Sequence, residues 1–251
     1  MTLVTILPPC FRLMRYDEVE STSDEAKKLA EAGAEHGALV WATSQSKGRG
    51  RRGNTWRSPP GNLYMSLLLR PDRPPAQASE ISFVSSIALA DAIAAVAPRG
   101  RKVSIKWPND VLLNRRKVAG LLLESSTTGS GALDWLVIGM GVNIASAPKD
   151  LERPVTALHD EGCAGLTAGQ LLEGFCAHFL KRYDDWLSCG FAPQREAWLK
   201  RAEGRDGPVT VNLEGESFTG RFVDLDGTGA LIVETEDGGR RAVSVGEVFM
   251  L

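Results

Sequence analysis

Neither charge is in surplus in this chain: 29 lysines and arginines stand against 31 aspartates and glutamates in 251 residues, a formal charge of −2. A dedicated nucleic-acid binder carries a broad positive field, so that class is disfavoured. The four cysteines, Cys10, Cys163, Cys176 and Cys189, form no CxxC or Cys/His spacing, so neither a zinc site nor a disulfide framework is expected. Widely spaced thiols of this kind fit a reducing cytoplasm. Three histidines (His36, His159, His178) fall in no metal or triad spacing. There is no GxSxG, no GxxxxGK[ST] and no GxGxxG opening a helix, which leaves serine hydrolases, P-loop enzymes and dinucleotide binders without their motif. No run of about 18 apolar residues occurs and no charged leader precedes an apolar stretch, so no membrane partner is expected.

What is present is an ordinary globular composition, 43% hydrophobic and 24% charged, sufficient for a sizeable core. Phe11 to Val19 alternates and predicts a strand. Thr22-x-x-Glu25 fits a capping box opening a helix to about Glu35, which Gly37 ends. Apolar runs at Ala38–Ser44 and Leu63–Arg70 predict buried strands, joined through the turn cluster 58–62; residues 71–75 read as a linker. Ser79 to Val96 lacks a wide polar face and predicts a helix buried on most sides. Val103–Trp107 is a strand stopped by Pro108. A hairpin follows, with strands at Val111–Leu113 and Val118–Glu124 about the turn Asn114–Lys117. Leu133–Ile144 is a further strand, and Leu166–Trp186 and Pro193–Ala202 are helices. Beyond Gly204 come short alternating runs, Val209–Leu213, Ser217–Asp224, Ala230–Glu234 and Ala242–Val245, which predict a small barrel-like β module.

Three stretches suggest chemistry. Gln45 to Trp56 alternates Gly48, Gly50 and Gly53 with Arg49, Arg51 and Arg52. Glycines make the backbone pliable, arginine forks suit phosphate oxygens, and a tryptophan face accepts a base. Lys106-Trp107-Pro108-Asn109-Asp110 puts a lysine at a strand end, since the proline disfavours helix at Trp107. Gly139-Met140-Gly141-Val142-Asn143 ends an apolar strand with small residues and an amide that both donates and accepts, as an adenine edge requires. Each stretch has a plain structural explanation too: a solvated basic loop, a turn, a strand end. Ser21 and Thr22 are candidate ligand hydroxyls, although helix capping accounts for at least one.

Taken together, with Ser21-Thr22 ahead of them and Lys117-Val118-Ala119-Gly120 between the last two, these stretches resemble the biotin–protein ligase family over nearly the whole chain. The resemblance implies an α+β fold: a mixed sheet flanked by helices, of the class II aminoacyl-tRNA synthetase-like, biotin/lipoate ligase type, over 1–205. A small SH3-like β-barrel follows over 206–251. It implies that biotin is activated by ATP and Mg²⁺ as biotinyl-5′-AMP and passed to a lysine on the biotin carboxyl carrier domain of acetyl-CoA carboxylase or a related carboxylase. Lys106, Arg49 and Arg51 would be catalytic. Ser21, Thr22, Gln45, Gly48, Arg49, Lys106 and Gly120 would hold biotin. Arg49, Arg51, Arg52, Trp56, Lys106, Asn109, Lys117 and Asn143 would hold ATP and the adenylate, with Trp56 on the adenine and Asn143 at its edge. Protein-side metal ligands are not implied. Two positions depart from the family pattern: Ser23 stands where Asn is usual, and Asn54-Thr55 where a basic pair is common.

The roughly ten residues before the first strand are too few for a helix-turn-helix, so a ligase without repressor function and without DNA as a partner is expected. A homodimer through sheet edges is a further implication of the family. A lipoate–protein ligase of the same fold is the alternative within the class, and an RNA-binding module using the arginine–glycine loop is the remote one. The loop, with three glycines and a run of like charges, is expected to be poorly held without ligand.

Overall fold

Leu63 to Leu69 is an uninterrupted apolar run, and such a run is stable as a strand only when both of its faces are covered. In the computed structural model, which describes residues 5–151 and 153–250, it is the interior strand β3. With β1 (Arg12–Val19), β2 (Ala38–Gln45), β4 (Val103–Lys106), β5 (Asp110–Leu113), β6 (Arg116–Thr127) and β7 (Leu133–Val142) it forms a seven-stranded sheet in the order β1-β2-β3-β7-β6-β5-β4. Only β1 and β2 pair in parallel, across helix α1 (Thr22–Glu31); the other pairs are antiparallel.

The pleat divides β3 between two cores. Leu63, Met65, Leu67 and Leu69 pack with α2 (Glu80–Val96) and α3 (Ala168–Cys189), whereas Leu68 joins Val40, Val137, Ala26 and Ala30 under α1. Each fully buried leucine contributes roughly 1.5–3 kcal/mol. Helix α2 is apolar on every side, as a helix between a sheet and other helices must be. The segment Pro75–Val96 is long and apolar enough to cross a membrane by composition, but two thirds of its 18-residue apolar stretch is buried inside this fold.

After α4 (Phe191–Leu199), strands β8 (Pro208–Asn212), β9 (Ser217–Leu225), β10 (Leu231–Glu234), β11 (Arg240–Val243) and β12 (Glu247–Met250) form an antiparallel sheet ordered β11-β10-β9-β8-β12. It is docked by aromatic packing: Trp198 lies 6.4 Å from Phe222 and 5.6 Å from Phe83. The Trp107 indole donates to the Gly229 carbonyl at 3.1 Å. That docking brings β12 to the edge of the main sheet's cleft.

Four local expectations need correction. Helix α1 ends at Glu31, because Gly33 (φ +84°) reverses the chain and Ala34 N donates back to Leu29 O at 2.9 Å. Gly37 serves a different purpose: a Cβ there would stand 2.0 Å from the Cys10 carbonyl. No capping box opens α1, since the Thr22 hydroxyl points into the cleft; the box in this chain is Thr167/Gln170 at the start of α3. The hairpin turn is the pair Asn114-Arg115, both left-handed (φ 50° and 64°), so β6 begins at Arg116.

Candidate active site

A patch of sheet without side chains forms the floor of a cleft of about 960 Å³. Gly120 of β6 faces Gly141 of β7 across the ladder, and Gly139 lies two residues back on the same face. The Trp56 ring lies on this bare patch. A Cβ at Gly141 would stand 2.4 Å from Trp56 Nε1, and one at Gly120 would stand 3.2 Å from Cζ3. Trp56 Nε1 is buried without a partner among the described residues, an arrangement that costs about 1–3 kcal/mol until an acceptor is supplied.

One wall is a relay of hydroxyls. Ser23 Oγ lies 3.1 Å from Ser66 Oγ, which donates to Thr22 Oγ1 at 2.9 Å. Thr22 in turn donates through its hydroxyl (3.1 Å) and its backbone N–H (2.8 Å) to Gln45 Oε1. Gln45 Nε2 donates to Ser58 Oγ at 2.9 Å, and Ser58 to the Trp56 carbonyl at 3.0 Å. This relay links the entry of α1 to the arginine–glycine loop. Ser23 suits its place, because its hydroxyl sits where a Cβ on Gly139 would fall, 2.5 Å away.

The other wall is cationic. Lys117 Nζ pairs with Asp110 at 2.5 Å and lies 5.4 Å from the Trp56 ring centre. Lys106 Nζ lies 5.1 Å from the ring of Phe249 on β12. Burial holds both ammonium groups below the ordinary lysine range, with Asp110 opposing. Arg51 is also depressed by burial, reinforced by neighbouring Arg52, and its Nη1 reaches Asn109 Oδ1 at 3.5 Å. These are cations held partly out of water before any anion arrives, which makes them strong partners for one. Among the described residues, no group of three or more His, Cys, Asp and Glu side chains is arranged to hold a metal.

Ser21, Thr22, Gln45, Arg49, Arg51, Trp56, Lys106, Asn109, Lys117 and Gly120 all line this cleft. Three expected residues lie elsewhere. Asn143 is buried below β7, its amide donating to the Thr156 carbonyl at 3.2 Å, and so faces away from the cleft. Arg52 is exposed in a left-handed turn (φ 54°). Gly48 packs under the loop, where a Cβ would stand 2.3 Å from the Trp56 carbonyl. The sequence did not single out Glu247, Phe249 or Arg153 as site residues, yet each lines the cleft; strand β12 gives no motif that would have revealed this.

This fold is that of the biotin/lipoate ligase class. The chain belongs to the biotin/lipoate A/B protein ligase family, whose model matches residues 53–200; the model of the biotin protein ligase C-terminal domain matches residues 207–251. It is 38% identical over 235 residues to the biotin–[acetyl-CoA-carboxylase] ligase of Paracoccus denitrificans, covering 92% of this chain and 97% of that one. It is 30% identical to the ligase of the same name from Mycobacterium tuberculosis, covering 92% and 86%. The biotin protein ligase from Aquifex aeolicus, solved in complex with biotin and ATP, superposes with a TM-score of 0.82 at 25% identity, over 95% of this chain and 99% of that one.

Proposed function

We propose that this protein is an ATP-dependent biotin–protein ligase. The observation that carries the reading is the bare floor at Gly120 and Gly141, covered by Trp56 and flanked by Lys106, Lys117 and Arg51. With its inner face seated on that backbone, the Trp56 indole offers its outer face to a base, while the cations face the point where two anions meet.

In the first step a biotin carboxylate oxygen forms a bond to the α-phosphorus and the bond to pyrophosphate breaks. Charge accumulates on the phosphoryl oxygens, and pre-placed cations stabilise it more than the separated reactants. Lys106, Lys117 and Arg51 take that role. Thr22 and Gln45 exchange their mutual hydrogen bonds for those of a ureido ring, with the Ser21 hydroxyl beside them in the cleft. In the second step the acceptor lysine's amine attacks the acyl carbon, AMP leaves with the C–O electron pair, and the amine's proton passes to solvent. Magnesium enters as the counter-ion that ATP brings with it. The acceptor is a biotin carboxyl carrier domain.

The division between ligase fold and barrel falls at Arg205–Asp206, where Asp206 turns the chain (φ 63°). A homodimer through sheet edges would use β1 or β4, which end the main sheet. Four free thiols fit a cytoplasmic setting.

The deciding experiment is biotin-dependent exchange of labelled pyrophosphate into ATP, followed by transfer of label to a purified carrier domain. Exchange with biotin and not with lipoate is expected. Exchange with lipoate alone would replace this reading with the lipoate ligase, and tight, salt-dependent RNA binding without exchange would replace it with the RNA module.

A further inference from the structure

Arg49 is engaged away from the lysines. Its Nη2 donates to Asp24 of α1 at 2.7 Å and lies 3.3 Å from Glu124 of β6. Lys27 Nζ reaches the same two carboxylates, at 2.9 Å and 3.0 Å. Two cations and two anions from the loop, α1 and β6 thus form a neutral quartet. Its side chains are 24–40% exposed, so salt screens it less than an open surface pair but does not ignore it.

The quartet controls more than Arg49. Arg49 bridges Thr55, Gly50 N donates to Asn54 O at 2.7 Å, and Trp56 N donates to Gly48 O at 2.9 Å. The loop is therefore a closed ladder, and fixing Arg49 fixes the strand that carries Trp56 onto the glycine floor. This is also why the loop is held in place despite its glycines and like charges: the holding carboxylates come from residues far away in sequence.

We propose that Asp24 and Glu124, assisted by Lys27, are positioning residues that latch the arginine–glycine loop through Arg49 and so retain the activated acyl-adenylate until the acceptor amine arrives. The proposal rests on the ligase reading. Arg49 is then the hinge pin of the lid, and Arg51 is the loop's phosphate cation. With the latch open, water reaches the mixed anhydride: its oxygen bonds to the acyl carbon, the acyl–oxygen bond to AMP breaks, and the proton goes to solvent.

The test compares wild type, Asp24→Asn, Glu124→Gln and the double variant, each loaded with biotin and MgATP without acceptor. Loss of bound adenylate is expected to quicken roughly fivefold in each single variant, the scale of one lost pair in a charge network. The KM for biotin rises, while adenylation at saturating substrates is unchanged. Asp24→Glu, which keeps the charge, restores slow loss. In the wild type alone, loss quickens with added salt, and this slope flattens in the double variant; a merely structural role moves neither. Equal loss rates across the variants, or a wild-type rate indifferent to salt, would overturn the latch. Arrested adenylation in Asp24→Asn at saturating substrates would overturn it as well. No adenylate at all in the wild type would instead overturn the ligase reading, and the latch with it.

Discussion

The ammonium of Lys117 lies 2.5 Å from the Asp110 carboxylate, with 11% and 16% of the two side chains exposed. Removing one partner of a buried pair leaves the other charge uncompensated, at a cost of about 3–5 kcal/mol. Asp110→Asn should therefore lower the melting temperature of the free protein. When biotin and MgATP bind, their anions supply the missing counter-charge to Lys117. The rise in melting temperature on adding both ligands should then be larger in Asp110→Asn than in wild type. Equal rises would mean that the ligands' charge arrives elsewhere.

Lys106 is the second cation; its ammonium lies over the Phe249 ring and, among the described residues, forms no ion pair with a carboxylate. Lys106→Ala should slow adenylation by about 10²–10³-fold, the effect of losing one pre-placed charge-stabilising group. Its thermal melt should stay close to wild type. Because burial lowers the proton affinity of Lys106 and of Lys117, kcat/KM should fall on the alkaline side before pH reaches the ordinary lysine value of about 10.4. Bound phosphates push those affinities back up, so the limb in kcat should lie at higher pH than the limb in kcat/KM. The two limbs belong to the coupled lysines together. Coincident limbs would remove the lysines from the phosphate.

Much of this was legible in the sequence, and the parts that were not share a cause. The strands with unbroken apolar runs, such as Leu63–Leu69, and the all-round apolar helix α2 follow from local pattern alone. The gathering of Lys106, Lys117, Arg51 and Trp56 in one cleft was implied by the family resemblance that their motifs carry together, and not by any one pattern. The place of Asn143 was not legible, because which way a side chain points after the last ladder residue is decided by tertiary contacts, here the Thr156 carbonyl that accepts from its amide. Thr22 looked like a cap because Thr-x-x-Glu is a local pattern, whereas its hydroxyl is claimed by Gln45, 23 positions away. Asp24, Glu124 and Phe249 carry no motif; their roles come only from the folding of α1, β6 and β12 around one loop.

The glycine floor gives a sharper test of Trp56. At Gly141 an added methyl would meet the indole at 2.4 Å, and the strand beneath cannot yield because it is paired on both sides. Gly141→Ala should therefore leave the sheet intact and lift Trp56 off the floor. The expected result is at least a tenfold rise in KM for biotin or ATP, equivalent to roughly 1.4 kcal/mol of binding. Trp56→Ala should lose affinity similarly, and the double variant should be little worse than either single, since both remove the same contact. Additive losses would mean that Gly141 acts on the ligand directly.

Acid sensitivity should trace to a site remote from the cleft. His36 is half-buried against Tyr183, ring centres 5.5 Å apart, and its Nδ1 accepts from the Arg70 backbone N–H at 3.2 Å. Burial lowers its pKa, and a protonated ring could no longer accept that bond. Above the ordinary histidine value of about 6.5 both folded and unfolded chains hold His36 neutral, so it contributes no pH dependence there. Below that value the unfolded chain takes up a proton that the folded chain resists, and stability falls until the lowered folded pKa is reached. Wild type should thus lose more melting temperature between pH 7 and pH 5 than His36→Asn, whose side-chain oxygen keeps an acceptor near Arg70 but does not titrate in that window. His159 and His178 are common to both proteins and cancel in the comparison. Parallel melting curves for the two proteins across that range would show that His36 titrates as a solvent-exposed histidine does.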